Sequence, residues 1–293
     1  MLNLQNQSLD WAIKNIKKHG DTDVFPRPFE IAAILENWDE VKAHLRGLDV
    51  CTPTGRVFRK ALIPKSRFGF RISTQLDPLD SIIYNAILFE MFDDFENARV
   101  PREQNVAFSF RLKPTADGSL YDPDYTWSTF KQKENRLAKS GDYGFVVITD
   151  IADFYPSIYL HYIETVLEEI TKTSGRFSHA NAFIELIKSM NYKQTHRGVP
   201  IGPQFSRCIA ELLLDQIDRI LLKKNLYFIR FVDDFRIYCK TESEAYSALT
   251  FLAQKLYDLF NLKINAQKTE ITDIKDYLEK HAKTEEDDER EVF

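Results

Sequence analysis

The chain has 293 residues, 44% of them hydrophobic and 28% charged, which suits a substantial buried core and excludes a fibrous or compositionally disordered protein. No apolar run approaches the roughly 18 residues of a membrane span, MLNLQNQSLDWAIKNIKKHG has no secretory apolar stretch, and Cys51, Cys208 and Cys239 lack CxxC or metal-ligand spacing, so a cytoplasmic, disulfide-free protein is expected. The formal charge of −5 excludes a protein that coats nucleic acid by net charge, yet residues 55–71 carry six Arg/Lys and no acid, while Glu279–Phe293 carries seven acids against three bases.

The first 50 residues read as mostly helical, with Ile31, Ile34, Leu35, Trp38, Val41 and Leu45 at helical spacing. Two short strands are expected around Pro64 within 56–72. With Phe58, Phe68 and Phe70 interleaved among its cations, this stretch reads either as a solvated loop or as a strand pair that meets phosphate. Asp77-Pro78 opens a helix with Ile82, Ile83, Ala86, Ile87 and Met91 on one face. Residues 99–144 are irregular apart from a polar helix near 127–139.

Phe145-Val146-Val147-Ile148 suits a buried strand. Pro156 fits the first turn of a following helix that carries Ile158, Tyr162, Ile163, Val166 and Ile170. After a loop with Gly198, Pro200, Gly202 and Pro203 comes an amphipathic helix with Phe205, Ile209, Leu212, Leu213, Ile217 and Ile220 on one face. LYFIRFV and FRIYCK flank Asp233-Asp234 as a hairpin. A helix over 243–260 follows, and the acidic end reads as disordered. The hairpin and short apolar runs favour an antiparallel α+β sheet backed by helices.

Asp150 stands where a buried strand emerges, and Asp233 and Asp234 sit at a hairpin tip. Adjacent anions on one turn repel unless a cation neutralises them, and magnesium with oxygen ligands is the natural partner. If the hairpin pairs beside the strand ending in Asp150, three carboxylates converge and could hold two metals about 4 Å apart, as phosphoryl transfer requires. Alone, an Asp-Asp pair is an ordinary turn, and Asp150 or Asp153 an ordinary helix cap. The ordered combination carries the reading.

That combination resembles the palm of reverse transcriptases. TDIADFYPSIY resembles motif A, with Asp150 as metal ligand and Asp153-Phe154-Tyr155 matching the aspartate-aromatic-aromatic stretch of bacterial members. GVPIGPQFSR resembles motif B, and RFVDDFRIY motif C, with Asp233 as the second principal ligand and Asp234 beside it. NAQKTEI resembles motif D, placing Lys268 near the phosphates, and ALIPKSRFGFR the fingers strands, where Lys65 and Arg71 would meet a triphosphate. Tyr155, five positions after Asp150, matches the sugar gate that excludes a ribose 2′-OH.

GVPIGPQFSRCIAELLLDQID, NVAFSFRL and WSTF are similar to the abortive-infection and defence-associated bacterial reverse transcriptases. Ile201 stands where other classes carry the glutamine of Pro-Gln-Gly, which sets ordinary nucleotide contacts aside there and fits members with unusual priming or templating.

The resemblance implies a right-hand polymerase. It divides the chain into an N-terminal helical segment (1–50), fingers and their connection (51–144), a palm (145–275) and an acidic tail (276–293). A short or absent thumb would leave duplex grip to a partner subunit, a structured RNA or a second copy. It further implies RNA-directed DNA synthesis with two magnesium ions, deoxynucleoside triphosphates and nucleic acid as partners, no membrane, and a role in antiphage defence.

Two alternatives stand beside it. One is a template-independent or protein-primed transferase, or an RNA polymerase, on the same palm. The other is a non-catalytic RNA-binding subunit. His19, His44, His161, His179, His196 and His281 show no metal-ligand spacing, no Gly-rich phosphate loop is present, and Ser157 begins no recognisable triad. Arg197 and Arg207 read equally as template contacts or solvated cations.

Overall fold

In the computed structural model, residues 1–22, 24–52, 56–65, 67–190 and 197–280 are described. Gly55 and Ser66 of the basic stretch, His196, His281 and residues 281–293 of the expected acidic tail lie outside them.

Three helices open the chain: α1 (Asn6–His19), α2 (Glu30–Glu36) and α3 (Trp38–Gly47). The stripe from Ile31 to Leu45 is thus not one helix. It breaks at Asn37, and of its six apolar residues only Ile31 and Leu45 are fully buried. Strands β1 (Arg59–Pro64) and β2 (Phe70–Gln75) pair antiparallel as a two-stranded sheet. Asp77 then caps α4 (Pro78–Asn97), its carboxylate accepting from Leu79 N, with Pro78 at the start where no N–H is needed. Thr126 caps α5 (Trp127–Ala138) in a reciprocal box with Thr129.

The apolar run becomes β3 (Phe145–Asp150). The single helix expected after it is two: a short α6 (Phe154–Ser157) and α7 (Leu160–Thr171). The break has a partner, because Ile158 O accepts from Gly198 N at 2.8 Å and Tyr159 bridges Arg197. Helix α8 (Phe177–Met190) was not anticipated, although Ala180, Phe183, Ile184 and Ile187 are buried at helical spacing. Helix α9 (Gln204–Lys223) is buried on most sides. The hairpin is β4 (Tyr227–Phe231) and β5 (Asp234–Cys239), followed by α10 (Glu242–Phe260). A further strand, β6 (Glu270–Asp273), was not expected. Residues 276–280, assigned to a disordered tail, belong to a helix over 274–280.

The chain forms two compact units, neither of them contiguous. The first comprises residues 1–99, 110–122 and 155–213. Its core joins α1 and α4 through Leu9, Ile13, Ile16, Ile83 and Ile87, and an aromatic cluster links Tyr84, Phe183 and Phe205 at centroid distances of 5.6–6.1 Å.

The second unit comprises 100–109, 123–154 and 214–293. It holds the four-stranded antiparallel sheet β4-β5-β3-β6, so the expected α+β architecture is the one observed. Against this sheet α5 and the helix over 274–280 bring Phe130, Leu137, Ala138, Ile274 and Tyr277 onto Val146, Ile229 and Tyr238. Among the described residues no helix is long and apolar enough to cross a membrane.

Candidate active site

Side chains in a strand alternate between faces, and directly paired residues share one. Asp150 pairs with Asp234, Ile148 with Arg236 and Val146 with Tyr238. Phe231 pairs with Asp234 and Ile229 with Arg236. One sheet face therefore carries an apolar floor of Val146, Ile148, Ile229 and Tyr238 that ends in Asp150 and Asp234. Asp233 occupies the turn itself, after Val232 at φ 55°, and its carbonyl accepts from Ile151 N at 3.3 Å. The backbone thus sets the strand end of Asp150 beside the Asp233 turn.

Electrostatics at this end are dominated by burial. Asp150 is buried, and its Oδ1 has no hydrogen-bond partner. Its Oδ2 accepts from Lys268 Nζ at 2.5 Å. Burial pushes the Asp233 carboxyl up to about 6, and the charges of Asp150 and Asp234 add to the rise. The hydrogen bond to Asp150 holds the Lys268 ammonium above its usual value, with the nearby aspartates adding to it.

Asp234 is engaged differently. Its Oδ1 accepts from Arg236 Nη1 at 2.6 Å, while Arg236 Nε donates to Glu134 Oε1 of α5 at 2.5 Å. Lys131 holds the other Glu134 oxygen at 2.5 Å. Burial alone would raise Glu134; the charge of Arg236 and the Lys131 hydrogen bond offset it and hold the carboxyl below its usual range. An arginine flanked in register by Ile148 and Ile229 requires such partners, because a buried unpaired charge is costly.

Asp150 and Asp233 fit a hard divalent cation. One offers a buried oxygen with no partner, the other a carboxyl that loses its proton reluctantly without a counter-charge. Among the described residues no group of three His, Cys, Asp or Glu side chains is arranged to share one ion. Asp234 is paired with Arg236 at 2.6 Å.

The remaining expected residues lie in the first unit. Lys65 is exposed at the turn after β1, its N–H donating to Gly69 O at 2.8 Å, and Arg71 is exposed on β2 opposite Ile63. Leu62 and Ile72 pair on the other face of this hairpin and are both exposed, as are Phe68 and Phe70. Tyr155 O accepts from Val199 N at 2.9 Å, tying the short helix to the loop before α9. That loop is stitched to β2, where Thr74 N donates to Ile201 O at 2.6 Å. Arg197 stacks over Tyr159 at 4.0 Å and Arg207 over Phe110 at 5.0 Å.

The sequence reading missed Arg236 and Glu134. Arg236 offered a signal, a lone cation inside DFRIYC, but nothing local names its partner on α5.

The family profile "Reverse transcriptase (RNA-dependent DNA polymerase)" matches residues 63–285. No curated protein shows significant similarity to the chain. Solved structures similar to the chain include the telomerase of Candida albicans in complex with a fragment of telomeric RNA, at 14% identity and TM-score 0.48, covering 84% of this chain and 48% of that one. Another is the apo telomerase of Candida tropicalis, at 13% identity and TM-score 0.47, covering 84% of this chain and 50% of that one. The chain thus spans about half the length of these telomerases.

Proposed function

Because the chain belongs to the reverse transcriptase (RNA-dependent DNA polymerase) family, we propose that Asp150 and Asp233 are the acidic centre of a nucleotidyl transfer that adds deoxynucleotides to a 3′ or protein hydroxyl. The observation that carries this reading is the β3–β5 register, which brings Asp150 and the Asp233-Asp234 turn to one end of one sheet. The two carboxylates would hold two magnesium ions, which when bound supply positive charge for the attacking hydroxyl and the leaving pyrophosphate. Asp234 supports the pair from the adjacent strand position.

Lys268 is the exposed cation of the site. Its side chain is 55% exposed, so it can leave Asp150 at little cost in burial and face an incoming phosphate. By resemblance to the family, Lys65 and Arg71 meet the triphosphate, where negative charge builds, and Tyr155 excludes the ribose 2′-OH. RNA as template and DNA as product follow from the same resemblance, and a cytoplasmic setting from the spacing of Cys51, Cys208 and Cys239. The motif B form with Ile201 supports membership of the antiphage-defence group.

Purified protein incubated with magnesium, each labelled nucleotide and a primed RNA template should incorporate deoxynucleotides. Asp233→Asn should abolish incorporation without lowering the unfolding transition, because it removes buried ligand charge and hardly any volume. An Asp233→Asn protein of parental activity would overturn the reading. Loss of phage protection by the same variant in cells would test the defence role.

A further inference from the structure

The two cations bound to the aspartates differ in how firmly they are held. Lys268 reaches Asp150 from an exposed turn at Ala266–Lys268, and its side chain is 55% exposed. The Arg236 side chain is 8% exposed and lies between two carboxylates, Asp234 at 2.6 Å and Glu134 at 2.5 Å, with Nη1 also donating to Phe235 O at 3.0 Å. Glu134 is itself buried and fixed, since Lys131 holds its second oxygen and Tyr238 Oη donates to its backbone carbonyl at 3.3 Å. Drawing Arg236 off Asp234 would leave a buried guanidinium short of one counter-charge, whereas drawing Lys268 off Asp150 returns an ammonium to water.

We propose that Arg236, anchored by Glu134, is a positioning residue that withholds Asp234 from direct metal coordination and fixes it as an outer anion, leaving Asp150 and Asp233 as the ligands. The inference rests on the reading of Asp150 and Asp233 given above and adds a division of labour within the Asp-Asp turn. Asp150 and Asp233 would hold the ion, with Lys268 free to turn to solvent and the Arg236–Asp234 pair kept. The asymmetry is built into the sheet: Arg236 follows Asp234 by two residues, so both project from one face, and α5 supplies the anion that keeps the guanidinium there.

Direct binding of manganese to the full chain, read by electron paramagnetic resonance without nucleotide, separates the roles. Asp233→Asn should weaken the ion by about a hundredfold or more, and Asp234→Asn by less than about threefold. Arg236→Gln should free the Asp234 carboxylate and tighten manganese by about tenfold, and adding Asp234→Asn to Arg236→Gln should erase that gain. A role confined to fold stability would lower the melting temperature of Arg236→Gln with no gain that depends on Asp234. Should Arg236→Gln fail to fold, Glu134→Gln, which loosens the anchor but leaves the guanidinium, should shift manganese affinity in the same direction by a smaller factor.

Asp234→Asn weakening manganese as much as Asp233→Asn overturns this inference alone. An Asp233→Asn protein that binds manganese like the parent overturns it together with the proposed acidic centre.

Discussion

Asp21 sits just beyond α1 and is only 5% exposed. Burial raises its pKa above the usual value, partly offset by hydrogen bonds from its own backbone, Gln75 and the Thr22 backbone, and least by the charge of Arg27. The native state therefore holds this proton more tightly than the unfolded chain, and stability is lost as pH rises through and above the carboxylate range. Asp21→Asn should raise the melting temperature by a few degrees at about pH 7, with the advantage gone near pH 3. Equal shifts at both pH values would contradict this origin.

The cysteines follow the same physics: burial pushes the Cys208 thiol up to about 12 and the Cys239 thiol to about 11, while Cys51 is only half-buried. A disulfide reagent on the native protein should modify Cys51 alone, and the other two only after denaturation. Tyr155 carries a prediction from the proposed chemistry. Tyr155→Ala should admit ribonucleotides that the parent rejects, and a parent that uses both sugars equally would remove the gate role and favour an RNA polymerase on the same palm.

Between elements, the decisive contacts are charged and local sequence does not announce them. Asp218 of α9 and Arg230 of β4 form a fully buried bidentate pair at 2.6 and 2.7 Å. Asp218→Ala removes a buried counter-charge of that guanidinium and should cost about 3–5 kcal/mol in chemical denaturation; a cost under about 1 kcal/mol would show that water reaches it. Gly202, at φ 128°, allows the loop before α9 to lie on β2, and a Cβ there would meet Thr74 O at 2.5 Å. Gly202→Ala should cost about 2 kcal/mol or more in the same measurement.

Elements framed by strong local signals were legible, among them the Asp77-Pro78 helix start and the hairpin around Asp233-Asp234. The helix split at Ile158-Tyr159 was not, because its cause is a hydrogen bond from Gly198. Strand β6 was hidden for a similar reason: four residues, EITD, gain their strand character only by pairing with β3.

Across the whole molecule, the aspartates could be read from sequence because strand ends and turns fix them. The Arg236–Glu134 anchor could not, since its halves lie 102 residues apart and meet only in the fold. The same separation bears on dissection. Residues 145–275 expressed alone lack Phe108, Phe130 and Glu134, which pack on the sheet or hold Arg236. That fragment should show no cooperative thermal transition by circular dichroism; a sharp one would mean the sheet needs no upstream cover.

The register of β3 also has a consequence in time. Both of its neighbours, β5 and β6, follow it in the chain, with Asp150 waiting for Asp234 and Ile148 for Glu270. At about 5–20 residues per second, a ribosome leaves this apolar strand without either partner for roughly 4–17 seconds. Substitutions that add to its stickiness would therefore register first as lost soluble yield, in a nascent chain that has yet to meet its own sheet.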